Sequence, residues 1–233
     1  MAIQDDRRER QMCELLGLRK GEGRSGVDAY FDFDETQVTR SCPIELKSTT
    51  TGSVSTARDV GLKHIEKWRS RIWVFGFYDR SGTDLERILT LGPDSMEAWI
   101  GKVESYILPD FEVGRRAAAK LDRGDLDIIC GRKRKYALED AQALMKRQWT
   151  ASRYASEMDA GDGYTPVKML EILQLRAQYL SDRGSTLNNP HIPKTFFSEF
   201  DDVAIEVRDT NERTLRKATR RRIRSLAAMV VGP

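Results

Sequence analysis

Two acidic residues and a lysine stand where the chain alternates between polar and apolar residues, which is the period of a β-strand. Residues 27–34 read VDAYFDFD, so Asp28 lies on the polar face of a predicted strand. Residues 43–48 read PIELKS, which puts Glu45 and Lys47 together on the polar face of a second predicted strand. We therefore expect all three side chains to lie outside the apolar core, where they are available for chemistry.

The spacing of the two strands suits a β-hairpin that turns near residues 35–36. In such a hairpin the numbers of paired residues sum to about 72 or 73, so Asp28 lies opposite Ile44 or Glu45, and we favour Glu45. Two carboxylates a few ångström apart repel each other unless a cation lies between them, and oxygen ligands of this kind suit Mg²⁺. Lys47 would then stabilise the charge on a developing phosphorane or help to deprotonate the attacking water. This combination of residues predicts phosphodiester hydrolysis.

Asp28, followed seventeen residues later by Glu45-Leu46-Lys47, resembles the motif of the PD-(D/E)XK nuclease superfamily. The resemblance covers roughly residues 6–80 and is greatest to type II restriction endonucleases. It implies a Mg²⁺-dependent cut of double-stranded DNA, usually made by a homodimer at a short palindrome. It also implies that Asp28 and Glu45 are metal ligands and that Lys47 is the catalytic lysine. The sequence departs from the family pattern at Val27, where proline is usual.

The same resemblance implies further site residues. Restriction endonucleases often contribute another acid from the helix before the motif, which makes Glu14 in the predicted helix over residues 6–16 a candidate third metal ligand. Glu9, about 140° around that helix from Glu14, is a weaker candidate. Apart from the resemblance, Ser48 and Thr49 continue the strand past the lysine, and we expect their hydroxyls to contact a DNA phosphate.

The basic residues are unevenly distributed along the chain. The net charge of the 233 residues is +3, yet residues 211–233 hold seven bases and one acid, a local charge of +6. A second basic cluster consists of Arg132, Lys133, Arg134 and Lys135. Both segments predict a polyanionic partner, and we expect both to contact the phosphates of double-stranded DNA.

The order of predicted elements indicates an α/β fold with a mixed central sheet, flanking helices and a restriction-endonuclease-like core. The core order is helix, strand, strand, helix over about residues 56–69, and the apolar strand Ile72–Tyr78. Asp94 or Ser95 is predicted to cap a helix that runs to about Ile107, and the chain beyond Pro109 is mostly helical. We expect a nuclease core over residues 1–110 and a helical recognition and dimerisation region over residues 111–233, with one continuous domain as the alternative.

Composition excludes several other classes of protein. Two histidines and three widely spaced cysteines make a histidine metal centre, a disulfide framework or a zinc ribbon improbable. Four of the first eight residues are charged where a signal peptide needs an apolar stretch, and no apolar run is long enough to cross a bilayer. We therefore expect a cytoplasmic, prokaryotic protein without membrane contacts. Two alternatives stay open: a PD-(D/E)XK repair or junction nuclease, and a nucleic-acid-binding protein without catalysis.

Overall fold

The structure is a computed structural model that describes residues 2–21, 26–35, 38–207 and 210–231. The chain forms two compact units, the first made of residues 1–104 and 187–233 and the second of residues 105–186. The elements up to residue 118 are α1 (Ala2–Leu16), β1 (Arg19–Lys20), β2 (Ala29–Glu35), β3 (Val38–Thr49), β4 (Val54–Ser55), α2 (Leu62–Arg69), β5 (Ile72–Tyr78), β6 (Leu85–Leu91) and α3 (Pro93–Ala118). There follow α4 (Arg123–Cys130), β7 (Tyr136–Ala137), α5 (Leu138–Leu144), α6 (Ala151–Ser156), β8 (Gly163–Tyr164) and α7 (Pro166–Gly184). The chain continues with β9 (His191–Ile192), α8 (Lys194–Phe197), a 3₁₀ helix (Ser198–Val203), β10 (Ile205–Glu206) and α9 (Glu212–Val231).

A six-stranded mixed sheet is the centre of the first unit. Its strand order is β1-β2-β3-β5-β6-β10, and every neighbouring pair is antiparallel except β3 and β5. The β2–β3 hairpin confirms the predicted register, because Ala29 pairs with Ile44 and Glu35 with Val38, a constant sum of 73. Its turn, residues 36–37, lies outside the described residues. The mixed sheet with flanking helices is the predicted fold class.

Helices α1 and α9 cover one face of this sheet. The alternate residues of β2 and β3 that point to this face are apolar, including Phe31, Ile44 and Leu46, and all three are buried. They pack in one cluster with residues from α1 and α9, among them Met12 and Ile223. Burial of each such side chain contributes about 1.5–3 kcal/mol, so this cluster fixes the face that Glu45 and Lys47 must turn away from.

Aromatic side chains cover the opposite face. Trp73 on β5 contacts Trp68 on α2 with ring centroids 5.6 Å apart, and Trp99 on α3 at 6.1 Å. Phe75, two residues further along β5, contacts Phe197 on α8 at 4.9 Å. The parallel register pairs Glu45 with Trp73 and Lys47 with Phe75. The polar side chains of β3 therefore share their face of the sheet with a rigid aromatic layer.

The second unit has a core of its own. Leu126 on α4, Tyr136 on β7 and Met169 on α7 are fully buried in one cluster. The hydroxyl of Tyr136 donates to the carbonyl of Gly131 at 2.8 Å, and Thr165 accepts from the backbone N–H of Lys168 to cap α7. This unit holds the predicted basic cluster of residues 132–135.

The domain boundary differs from the predicted one at residue 110. Helix α3 does not end near Ile107 but continues through Pro109 to Ala118. Proline removes one helical hydrogen bond, yet α3 continues for nine residues beyond Pro109. Residues 187–233 belong with the sheet because α9 buries Leu215, Ile223 and Leu226 in the same cluster as α1. Local sequence patterns do not reveal this return of the chain.

In the described part of the chain, no helix has the length and apolar character needed to cross a membrane.

Gly76 on β5 lies beside Met12 of α1. A Cβ built there would lie 2.7 Å from Sδ of Met12 and 3.0 Å from Cε2 of Tyr78. We expect Gly76→Ala to lower the free energy of unfolding by about 1–3 kcal/mol because the added methyl overpacks this contact. Urea denaturation measures the change.

Gly101→Ala on α3 is the matched control. Its Cβ would meet only Oε1 of Glu97, at an ordinary 3.5 Å, so replacing a helical glycine raises stability by about 0.5–1 kcal/mol. Equal effects of both substitutions would contradict the packing of α1 on β5.

Candidate active site

Asp28 and Glu45 lie next to each other where β2 begins beside β3. Continuing the register from Ala29 and Ile44 places Asp28 opposite Glu45, as the hairpin arithmetic predicts. The backbone N–H of Leu46 donates to Oδ2 of Asp28 at 2.9 Å, which fixes this carboxylate against β3. The two acids are therefore held by backbone geometry as well as by their own strands.

Lys47 contacts both carboxylates. Its Nζ lies 2.8 Å from Oε1 of Glu45 and 3.3 Å from Oδ2 of Asp28, and it also donates to the carbonyl of Leu46 at 2.9 Å. The side chain of Lys47 is 16% exposed and that of Asp28 25%, whereas that of Glu45 is only 5% exposed. The structure thus brings together Asp28, Glu45 and Lys47, with Asp28 and Lys47 nearer to solvent.

Arg71 is a fourth member of this cluster that the sequence does not reveal. It is 7% exposed and lies just before β5. Its guanidinium pairs with Oε2 of Glu45 and also donates to the carbonyl of Gly26 at 3.2 Å. Arg71 therefore links the buried carboxylate of β3 to the backbone two residues before Asp28. Finding it from sequence requires knowing that β5 lies parallel beside β3, which no local pattern gives.

The charges of the cluster shift the pKa values of its members. Burial alone would raise the pKa of Glu45, but the positive charges and hydrogen bonds of Lys47 and Arg71 hold it below the ordinary value of 4.5. Burial opposes the charged form of Lys47, yet the two carboxylates outweigh it and raise the lysine pKa. Both groups are ionised at neutral pH. In this arrangement Lys47 is a hydrogen-bond donor and a positive charge.

The donor set agrees in type and number with what Mg²⁺ takes from proteins. Mg²⁺ commonly binds one or two carboxylates and fills its remaining positions with waters and phosphate oxygens. Asp28 and Glu45 supply two such carboxylates. Within the described residues no group of three or more histidine, cysteine, aspartate or glutamate side chains is arranged to hold a metal ion. The cluster therefore suits a metal bound partly by substrate, and does not form an all-protein metal cage.

The two glutamates of α1 lie in different surroundings. Burial raises the pKa of Glu9, and the negative charge of Asp28 raises it further, while Lys47 and Lys20 oppose these effects. Glu9 thus lies within electrostatic range of the cluster. Glu14, the residue we expected to be a metal ligand, lines a separate surface cavity with Asp84 and Glu212. Glu9 and Glu14 lie at different angles around the axis of α1, so that Glu9, and not Glu14, is near Asp28 and Lys47.

The two hydroxyl residues after Lys47 are placed differently from each other. Thr49 is 5% exposed, and its hydroxyl donates to the carbonyl of Ser53 at 2.6 Å. The same oxygen accepts from the backbone N–H groups of Thr51 and Gly52, each at 3.1 Å. It closes the loop after β3 and is fully used there, so Thr49 is not presented to a phosphate as expected. Ser48 is half-buried at the end of the strand.

The predicted DNA-contacting cluster of the second unit is partly neutralised. Nζ of Lys133 lies 2.7 and 2.8 Å from the two carboxylate oxygens of Asp140, and Lys135 pairs with Asp162. Arg132 and Arg134 are exposed. Two of the four positive charges therefore have carboxylate partners inside their own unit, and the predicted +4 surface is reduced to about half that charge.

Comparison with known proteins adds no assignment. A scan against models of protein families finds no match, and a search of curated proteins finds no significant similarity.

Removing Arg71 leaves Glu45 buried with one cation instead of two. We expect Arg71→Met to lower the free energy of unfolding by about 3–5 kcal/mol, because breaking a buried pair leaves a poorly compensated charge. Arg69→Met is the matched control. Arg69 also contacts two carboxylates, of Glu97 and Glu104, but its side chain is 36% exposed, so we expect a loss of about 1 kcal/mol or less per pair. Urea denaturation of both variants measures this, and equal losses would contradict the role of Arg71.

The lowered pKa of Glu45 makes its contribution to stability depend on pH. The ionised carboxylate stabilises the folded state above the unfolded pKa, near 4.5, and this contribution is lost as the pH falls through the lower folded value. We therefore expect Glu45→Gln to be less stable than the unmodified protein at neutral pH, with the difference shrinking below about pH 4.5. Unfolding curves across this range test the sign. A difference that grows on acidification would contradict the ion pairs.

Proposed function

We propose that this protein is a Mg²⁺-dependent endonuclease that cuts double-stranded DNA, in the manner of a type II restriction endonuclease. The observation that carries the proposal is the meeting of Asp28, just before β2, with Glu45 and Lys47 on β3. The sequence motif that resembles the PD-(D/E)XK superfamily consists of these same residues. Its strands are neighbouring inner strands of a mixed sheet flanked by helices, an architecture that supports a restriction-endonuclease-like core.

Each residue has a separate role in the proposed reaction. Asp28 and Glu45 would hold the metal, which when bound polarises the phosphate and lowers the pKa of a bound water. The ammonium of Lys47, whose pKa the two carboxylates raise, would stabilise the negative charge that develops on the phosphate oxygens. Arg71 pairs with Oε2 of Glu45, the carboxylate oxygen that Lys47 does not pair with, and so holds this carboxylate in its orientation. For a metal to bind, Nζ of Lys47 must move away from at least one of the two carboxylate oxygens that it contacts.

A nucleic-acid-binding protein without catalysis is the second candidate. The seven bases within α9 support it, because they would bind a polyanion whether or not the acids hold a metal. A repair or junction nuclease would use the same three residues and would differ in the DNA that it cuts. A cytoplasmic location in a prokaryote and a homodimer belong to the restriction-enzyme proposal.

The decisive test compares two aspartates on the same polar face of the hairpin. We expect purified protein with Mg²⁺ to cut DNA of known sequence into discrete fragments, and Asp28→Asn to reduce the cutting rate by at least about 100-fold. Asp32→Asn is the control, because Asp32 pairs with exposed Arg19 at 2.8 Å and not with Lys47. Binding of DNA with Ca²⁺ in place of Mg²⁺ should persist in both variants.

The form of the products separates the candidates. Nicking confined to branched or damaged DNA would favour the repair or junction nuclease. Absence of cutting on varied DNA with Mg²⁺ or Mn²⁺, with binding intact, would contradict the nuclease proposal and leave the binding protein. Glu9→Gln and Glu14→Gln form a second matched pair, in which only the Glu9 change should alter the Mg²⁺ concentration needed for cutting.

A further inference from the structure

The structure distinguishes the two basic segments of the sequence by their partners. In α9, the side chains of five exposed bases (Arg213, Arg216, Lys217, Arg221 and Arg224) have no hydrogen bond or ion pair in the described part of the chain. In the second unit, by contrast, Lys133 and Lys135 have carboxylate partners. We call these five residues of α9 the basic stripe. Glu212, at its first turn, is the single acid of the helix.

The helix that carries the basic stripe is held rigidly by its other side. Leu215, Thr219 and Ile223 are buried against the sheet. Arg220 donates from one nitrogen to the carbonyls of Leu16 and Gly17, at 2.9 and 2.8 Å, at the end of α1. Desolvation and the nearby charges of Arg216 and Arg224 lower the pKa of Arg220, so the bases repel one another. A bound polyanion would relieve this repulsion.

Three features of α9 decide which polyanion fits. Bases at positions 213, 217 and 224 follow one line along α9 and span about 17 Å at 1.5 Å per residue, which suits several successive phosphates. No aromatic residue lies in α9, whereas proteins that bind single strands stack bases on aromatic side chains. The apolar face of α9 is buried, so it is not available to enter a lipid surface.

We infer that the basic stripe of α9 is a binding surface for the phosphate backbone of duplex DNA. It lies in the same unit as Asp28 and Glu45, and Arg220 ties it to the end of α1, from which β1 leads to the paired strand β2. This surface contacts backbone and not base edges, so it supplies affinity without sequence preference. The inference goes beyond the proposed catalysis, since the surface would bind DNA in a protein that does not cut.

The test measures how binding depends on salt in a chelating buffer, where metal-dependent cutting cannot occur. The variant is Arg213→Gln, Lys217→Gln and Arg224→Gln combined, which removes three exposed charges. The slope is that of the logarithm of the binding constant against the logarithm of the salt concentration, measured between about 50 and 200 mM salt. Each phosphate contact contributes about 0.9 to its magnitude, so we expect the variant's slope to be smaller in magnitude by roughly 2.7. Fluorescence anisotropy with a short labelled duplex gives the slope, and circular dichroism checks that the variant is folded.

The matched control removes the same charge from the second unit by Arg132→Gln, Lys133→Gln and Lys135→Gln. We expect the slope of this control to change by less than one third as much. An unchanged slope in the α9 variant, or an equal fall in both variants, would overturn the inference. Tighter binding of the unmodified protein to single-stranded DNA or to duplex RNA than to duplex DNA would also overturn it. Because no metal is present, loss of cutting in Asp28→Asn has no bearing on this result.

Discussion

The burial of the Glu45 carboxylate is the constraint on which the candidate site depends. A charge that is 5% exposed costs several kcal/mol to remove from water, and it is tolerated only when it is paired and hydrogen-bonded. Lys47 comes from the same strand, whereas Arg71 comes from the start of the neighbouring strand. Because Arg71 must reach the carboxylate of Glu45, the ion pair constrains where β5 begins relative to β3. The bond from Arg71 to Gly26 extends the constraint to the chain that enters β2.

The charges of the cluster also determine how it can respond to a ligand. Asp28 and Glu45 carry two negative charges, and Lys47 and Arg71 carry two positive charges, so the cluster is neutral when no metal is bound. A divalent cation that enters must compete with Lys47 for the carboxylates. A phosphate brought by DNA would offset the added charge and give the displaced ammonium a new partner. The geometry therefore favours binding of the metal together with the substrate.

The sequence predicts the parts of this arrangement that depend on local order. The period of two along residues 27–34 and a single short turn fix the register of β2 and β3, so the meeting of Asp28 with Glu45 follows from residue numbers alone. Arg71, the choice between Glu9 and Glu14, and the packing of α9 on α1 depend on contacts between distant segments. Periodicity does not encode strand order, and composition does not show that Lys133 and Lys135 are paired with Asp140 and Asp162. The basic segments look alike in sequence and differ only in their partners.

The most direct measurement of the central claim is a crystal structure of the protein bound to duplex DNA in Ca²⁺, an ion that binds at such sites and usually supports no cutting. The account predicts one cation within about 2.3–2.6 Å of an oxygen of Asp28 and an oxygen of Glu45, with a phosphate oxygen completing its shell and Nζ of Lys47 turned to that phosphate. A complex in which DNA is bound while Lys47 still bridges both carboxylates, and no cation contacts them, would contradict it.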